Sequence, residues 1–126
     1  MELKFPKRVE KTWGEEIWMA NTKLYCGKQL ILLKGKRCSL HYHKLKDETF
    51  YIFRGKILME VDKEERVMYP ESAVLIKPHT KHRFSGLENT IIIEISTHHE
   101  ESDSYRVPGQ LSGDIPPEIM DRYSQT

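Results

Sequence analysis

The sequence predicts an all-β protein, a sandwich or barrel of short strands, and three observations carry that expectation. Gly and Pro punctuate the chain at short intervals, at Gly14, Gly27, Gly35, Gly55, Pro70, Pro78 and Gly86. The runs between them are rich in β-branched and aromatic residues, with turns recurring about every 8–12 residues, the spacing of all-β folds. No stretch between residues 15 and 97 has the periodicity of an amphipathic helix.

The elements follow in order. Residues 27–33, from Gly27 to Leu33, read as a strand. Residues 50–53 and 57–61, on either side of Gly55, read as two strands around a tight turn. Residues 73–76 and 91–95 are two further strands. Residues 98–104 are polar and read as a loop. After Pro108-Gly109 and Pro116-Pro117, residues 118–123 form either one or two turns of helix with proline at the start, or a frayed tail.

The bounds set by composition agree with one soluble domain. The chain has 126 residues, so residues 1–126 are expected to form a single domain with one ordinary core. Lys and Arg total 20 against 19 Asp and Glu, a formal net charge of +1, which points to neither a nucleic acid nor an anionic membrane partner. No apolar run approaches the roughly 20 residues of a membrane span. The first eight residues carry charge with no apolar stretch behind them, so no signal peptide is expected. Cys26 and Cys38 are too few for a disulfide scaffold and read as free thiols of a cytoplasmic protein.

The segment from Gly35 to Gly55 carries the chemistry. Residues i and i+2 of a strand face one side, so His41 and His43 project together, a spacing that suits two imidazoles on one metal. Glu48 opens the next strand after a short loop and can swing its carboxylate to the same point. His82 is the candidate for a fourth ligand. Three imidazoles and one carboxylate hold one divalent transition ion (Fe, Mn, Ni, Co or Zn) and leave positions open for water or substrate. A His-x-His pair taken alone is as often exposed or satisfied within a strand.

Gly35, His41, His43, Glu48 and Gly55 reproduce the first cupin motif, G-x5-H-x-H-x4-E-x6-G, at every specified position. The chain thus resembles the cupins, and the resemblance implies a double-stranded β-helix, a jelly-roll barrel of two packed antiparallel sheets with a metal at its centre. The barrel would span about residues 9–97, with a C-terminal extension over about 98–126 packed outside it or on a partner. The second cupin motif, G-x5-P-x-G-x2-H-x3-N, survives only at His82: Glu71, Lys77, His79 and Gly86 stand where glycine, proline, glycine and asparagine belong. His79 reads as a turn residue, since histidine tolerates positive φ better than most.

Residues 9–107 are similar to the cupin of the type II mannose-6-phosphate isomerases. The similarity rests on Thr12-Trp13-Gly14-Glu15-Glu16, Cys26-Gly27-Lys28, Lys34-Gly35, Ser39-Leu40, Ile93-Glu94-Ile95 and Asp103 to Arg106. His41 stands where that family usually has glutamine. The resemblance implies that Lys28 and Arg106 contact an anionic group; otherwise they are solvated surface cations. Trp13 either stacks on a sugar ring or serves as a lid or dimer contact. Glu94 either faces the barrel interior with Ile92 and Ser96, where it could act as a general base, or is a solvent-face carboxylate. Ser39, in phase with His41, is expected to face the cavity; Cys38, out of phase, is expected to pack. His98 and His99 read as a surface pair.

Three functions follow. The first is metal-dependent aldose–ketose isomerisation of a sugar or sugar phosphate, with Glu94 moving the proton. The second is non-haem iron dioxygenation of a small organic substrate; the third is sugar binding without catalysis. A homodimer is expected, because cupin barrels pair through sheet edges and edge strands need protection.

Overall fold

The computed structural model describes residues 1–123. The strands run β1 (Lys7–Lys11), β2 (Gly14–Asn21), β3 (Cys26–Leu32), β4 (Lys36–Arg37), β5 (His41–Tyr42), β6 (Glu48–Arg54), β7 (Ile57–Val61), β8 (Glu64–Met68), β9 (Ala73–Ile76), β10 (His82–Gly86), β11 (Thr90–Ser96), β12 (Tyr105–Arg106) and β13 (Gly113–Asp114), before helix α1 (Pro117–Tyr123). They form two antiparallel sheets. One has the order β1-β2-β3-β11-β6-β9. The other runs β12-β5-β10-β4-β13, with β7 and β8 joined to it through β10. The all-β barrel expected from the sequence is the observed fold.

The long strands of the first sheet show why these residues form strands. β3 and β11 alternate buried and part-exposed residues along nearly their whole length, as does β6 up to Ile52. Their inward side chains, Leu30, Leu32, Phe50, Ile52 and Ile92, meet Ile57, Met59, Met68 and Phe84 from the second sheet in one core. Burying a side chain of this size is worth about 1.5–3 kcal/mol, so the alternation sets both register and face. The β6–β7 turn depends on Gly55. Its φ of 95° lies in the left-handed region, and a Cβ there would come within 2.4 Å of the Asn89 carbonyl oxygen.

Several elements lay beyond the reach of pattern. In β2 every residue but Met19 is partly buried, and its pairing with β3 shifts between Trp18 and Ala20, which blurs its alternation. β10 is buried at all five positions, yet His82-Arg83-Phe84-Ser85-Gly86 lacks an apolar run. β4, β5, β12 and β13 are two residues each. Residues 117–123 are helical, with Pro117 opening the first turn. Beyond residue 97 the chain returns to the second sheet: β12 pairs with β5 and β13 with β4.

The outer face of the first sheet is unusually apolar. The pairings of β2, β3, β11, β6 and β9 align Ile17, Ile31, Ile91, Ile93, Ile95, Tyr51, Ala73 and Leu75 on it, with Gln29, Thr49, Glu15 and, opposite Ile91, Arg54 as polar members; Met19 and Phe53, both exposed, fall at the register shifts. Among the described residues no helix is long and apolar enough to cross a membrane.

Candidate metal centre

Three short pieces of chain bring the histidines together. His41 opens β5 and His43 follows it in the loop. His82 opens β10, whose register places it directly across from His41. Ligand atoms of the three imidazoles lie within 4.8 Å of one another. Glu48, at the start of β6, brings Oε2 to 3.4 Å from His43 Nε2 and 3.2 Å from His82 Nε2. Phe50 packs against His82 from the core side, with ring centroids 5.9 Å apart.

The hydrogen bonds settle which ring nitrogens face the centre. His41 Nδ1 lies 2.8 Å from the Ser39 carbonyl, His43 Nδ1 3.0 Å from that of Asp103 and His82 Nδ1 2.9 Å from that of Thr80. A carbonyl only accepts, so each Nδ1 carries its proton and donates. Each Nε2 therefore presents a lone pair inward, the arrangement that backbone acceptors impose on metal-binding histidines. His82 Nε2 and Glu48 Oε2 are buried and make no hydrogen bond, despite their 3.2 Å approach. Two buried electron-pair donors without a proton between them fit a cation, because leaving such atoms unpaired is costly. His41, His43, His82 and Glu48 could together hold one metal ion; the mixed nitrogen and oxygen donors do not select which.

Electrostatics keep these donors in their ligating forms. Burial, with the neighbouring His82, depresses the His41 pKa to about 3. Burial likewise lowers that of His43, against the opposing pull of Glu48. Burial would raise the Glu48 pKa, but in the metal-free site a proton on His82 Nε2 and the Lys46 ammonium would outweigh it and hold the carboxyl at about 2.

A cavity of about 410 Å³ opens beside the four side chains. Its wall includes Trp13, Lys28, Ser39, His41, His43, Glu48, Glu94 and Arg106, so all but one of the residues singled out from the sequence meet there. His82 lies beneath, with no exposed surface. Glu94 is 4 % exposed and lies inward with Ile92 and Ser96, which resolves its two alternatives in favour of the interior. Ser39 faces the cavity and is buried. Trp13 is buried too, its ring edge-on to Phe84 at 5.2 Å, so it is a wall of the core as much as of the cavity. Arg106 sits exposed at the rim. Lys28 is not a solvated cation: it is 1 % exposed, 3.2 Å from Glu16 and 4.2 Å from the Trp18 ring centre. Cys38 belongs to the core and also touches the cavity, with its Sγ accepting the Phe84 backbone N–H.

Three other residues were not singled out for this site. Lys46, 3 % exposed, sets Nζ 2.5 Å from Glu94 Oε2, 3.7 Å from Glu48 Oε1 and 2.9 Å from His99 Nδ1. Burial opposes its charge, yet Glu94 and Glu48 together raise its pKa above the ordinary lysine value. His99 corrects the expectation of a surface pair. It is buried against Trp18, on the cavity wall, while His98 turns outward to the Thr22 carbonyl and Glu100. Adjacent residues point to opposite sides of an extended chain, so one of two neighbours turned inward. Asp103 accepts backbone N–H bonds from Lys44, Leu45 and Lys46 and so shapes the loop between His43 and Glu48. Apart from that of Lys46 with Glu48, these contacts join residues far apart in sequence, and no spacing rule would have found them.

The backbone of the degraded second motif keeps its shape. Glu71 and His79, standing where glycines belong, adopt φ of 75° and 71°. The His79 N–H donates to the His43 carbonyl at 2.6 Å, tying the turn before His82 to the loop of its fellow histidine. Histidine as a turn residue here is the observed arrangement.

Comparison with known proteins places these features. The family described as Cupin domain matches residues 29–96. The D-lyxose/D-mannose isomerase of Thermosediminibacter oceani is 30% identical over 129 aligned positions, covering 79% of this chain and 71% of that protein. Among solved structures, a Streptomyces Pac13 variant with uridine has a TM-score of 0.74 at 12% identity, covering 85% of this chain and 91% of its own. An RmlC-like cupin from Shewanella frigidimarina has a TM-score of 0.70 at 15% identity, covering 77% and 87%.

Proposed function

This chain belongs to the cupin family, and on that premise we propose that it is a metal-dependent isomerase of unphosphorylated aldoses and ketoses. The observation that carries the reading is Glu94: a buried carboxylate on the wall of a cavity that also meets His41, His43 and Glu48. The 30% identity to a D-lyxose/D-mannose isomerase supports the substrate class.

Moving a carbonyl between neighbouring carbons of a sugar requires a base to take a proton from one carbon and return it to the next. Lys46 Nζ and Ser96 Oγ both contact Glu94 Oε2. That leaves Oε1 as the oxygen we assign to the carbon-bound proton. Removing it turns the hydroxy-carbonyl pair into an enediol, and its return to the adjacent carbon completes the exchange. A divalent ion held by His41, His43, Glu48 and His82 would polarise the two substrate oxygens. Lys46, a buried cation between Glu94 and Glu48, holds both carboxylates in place while the proton moves.

Phosphate is disfavoured by the pairing of Lys28. Its ammonium is committed to Glu16 and stacked on Trp18, so it is not free to bind an anion. Arg106 at the rim is a cation placed to meet a polar end of the substrate.

The test is incubation of metal-loaded protein with D-lyxose, D-mannose, other aldoses and their phosphates in deuterated water. The expected result is conversion of a free sugar, with deuterium beside the product carbonyl, and loss of turnover but not of metal in Glu94→Gln. Absence of conversion and exchange with every sugar would reject the proposal; oxygen uptake with iron and an organic substrate would favour dioxygenation instead.

A further inference from the structure

β2 carries an irregularity beside the cavity. Its register against β3 shifts between Trp18 and Ala20, so that Trp18 stands opposite Lys28 and Asn21 opposite Cys26. Lys28 and Cys26 are two apart on β3, both buried, and point to one face. The extra residue therefore turns Trp18 and Asn21 to the same side, although three-residue spacing in a regular strand would set them on opposite sides. Both meet His99. The Asn21 amide closes on the His99 backbone, accepting its N–H at 2.9 Å and donating to its carbonyl at 3.2 Å. The Trp18 indole lies edge-on to the imidazole, with ring centroids 5.0 Å apart, and is itself held by a 2.8 Å bond from Nε1 to Glu16. A buried histidine fixed on so many sides, yet without a part in the proton transfer, calls for a role.

Its ring nitrogens are assigned by their partners. Lys46 Nζ lies 2.9 Å from Nδ1, and an ammonium only donates, so Nδ1 accepts. Glu101 Oε1 lies 3.2 Å from Nε2, and a carboxylate only accepts, so Nε2 carries the proton. This tautomer is the reverse of that of His41, His43 and His82. Lys46 Nζ then has one partner for each of its three N–H groups: Glu94 Oε2, His99 Nδ1 and, at 3.7 Å, Glu48 Oε1. Two partners leave an ammonium free to swing about the line between them; the third fixes it. We infer that His99 is a positioning residue: by accepting from Lys46 it locks the ammonium between Glu94 and Glu48 and keeps Glu94 Oε1 aimed at the substrate carbon. A neutral acceptor suits this place, because a third carboxylate would draw the ammonium away from Glu94 with a full charge. The aim at a substrate carbon rests on the isomerase reading; the anchoring of Lys46 does not.

Two variants separate positioning from packing. His99→Phe keeps a ring against Trp18 and loses the acceptor; His99→Asn loses the ring and keeps an acceptor near the place of Nδ1. With a sugar that the wild type converts, His99→Phe should lower kcat about 100-fold, the cost of a misplacement of about 1 Å. KM should stay within about twofold and metal content should not change, the pattern of an interaction made in the transition state. His99→Asn should recover most of the loss. Nitrogen-15 NMR of the zinc-loaded full chain supplies a readout apart from turnover. His99 should be protonated at Nε2, and the Lys46 ammonium should give a slowly exchanging signal that His99→Phe abolishes. A wild-type His99 protonated at Nδ1 would overturn the inference, and this measurement decides if His99→Phe does not fold. So would wild-type kcat in His99→Phe, or a loss that His99→Asn does not relieve. Should the wild type convert no sugar, the isomerase reading fails by itself, and a Lys46 signal unchanged in His99→Phe would then overturn the anchoring.

Discussion

Lys46 Nζ lies 2.5 Å from Glu94 Oε2, on the wall of the cavity beside the three histidines. Both groups are almost wholly buried, so little water reaches either side of the pair. Removing one partner of such a pair strands the other, at a cost of about 3–5 kcal/mol. Lys46→Met should therefore destabilise the fold by that order and abolish turnover. The double variant Lys46→Met with Glu94→Gln should be more stable than the sum of the single effects, by more than about 1 kcal/mol in a urea-unfolding cycle.

Asp103 acts on the metal site at one remove. Its carboxylate binds three consecutive N–H groups of the His43–Glu48 loop, and its carbonyl accepts from His43 Nδ1. Asp103→Ala should weaken metal binding about 10–100-fold, the usual cost of losing an outer support. Calorimetric titration with Zn or Mn measures it directly, and an affinity equal to wild type would show that the loop holds its shape without Asp103.

The metal-free protein should lose stability in mild acid, with a defined sign. His41 has a pKa of about 3 when folded against 6.5 as an unperturbed imidazole, so between those values the unfolded chain binds a proton that the folded one refuses. Glu48 adds the same tendency between 4.5 and about 2. The stabilisation is complete above pH 6.5 and is lost as pH falls through this window. Urea midpoints of chelator-treated protein should fall steadily from pH 7 to pH 4, and His41→Gln should flatten the upper part of that curve.

His79 carries positive φ with a side chain, where glycine would be free of the steric cost. His79→Gly should preserve the bond from its N–H to the His43 carbonyl. Relief of strain, partly offset by chain entropy, should then raise stability by up to about 1 kcal/mol. Thermal unfolding checks it. A lower midpoint would assign the exposed imidazole a stabilising contact.

Cys38 should be inert. Burial pushes its thiol up to about 12, and its sulfur accepts the Phe84 N–H. Native protein should resist iodoacetamide at Cys38 at pH 8, and unfolding in urea should expose it. Rapid native labelling, read by mass spectrometry, would show that the core opens there.

Much of this protein was legible along the chain. His41 and His43 two apart, Glu48 at the next strand's start, and Gly35 and Gly55 at the bounding turns are local relationships, set by the two-residue period of a strand and by the backbone freedom of glycine. The alternation in β3 and β11 likewise declares which side faces the core. What could not be read is everything that depends on how strands lie beside one another. His82 reaches His41 because β10 pairs with β5 in one register; a shift by one residue would turn its imidazole to the other face. Glu94 meets Lys46 because β11 lies against β6 with Ser96 opposite Glu48. His99 and Asp103 arrive from more than 50 residues away by sequence to hold Lys46 and its loop. Those partners are chosen by the packing of two sheets on a common core, a property of all the strands together that no single segment of sequence contains.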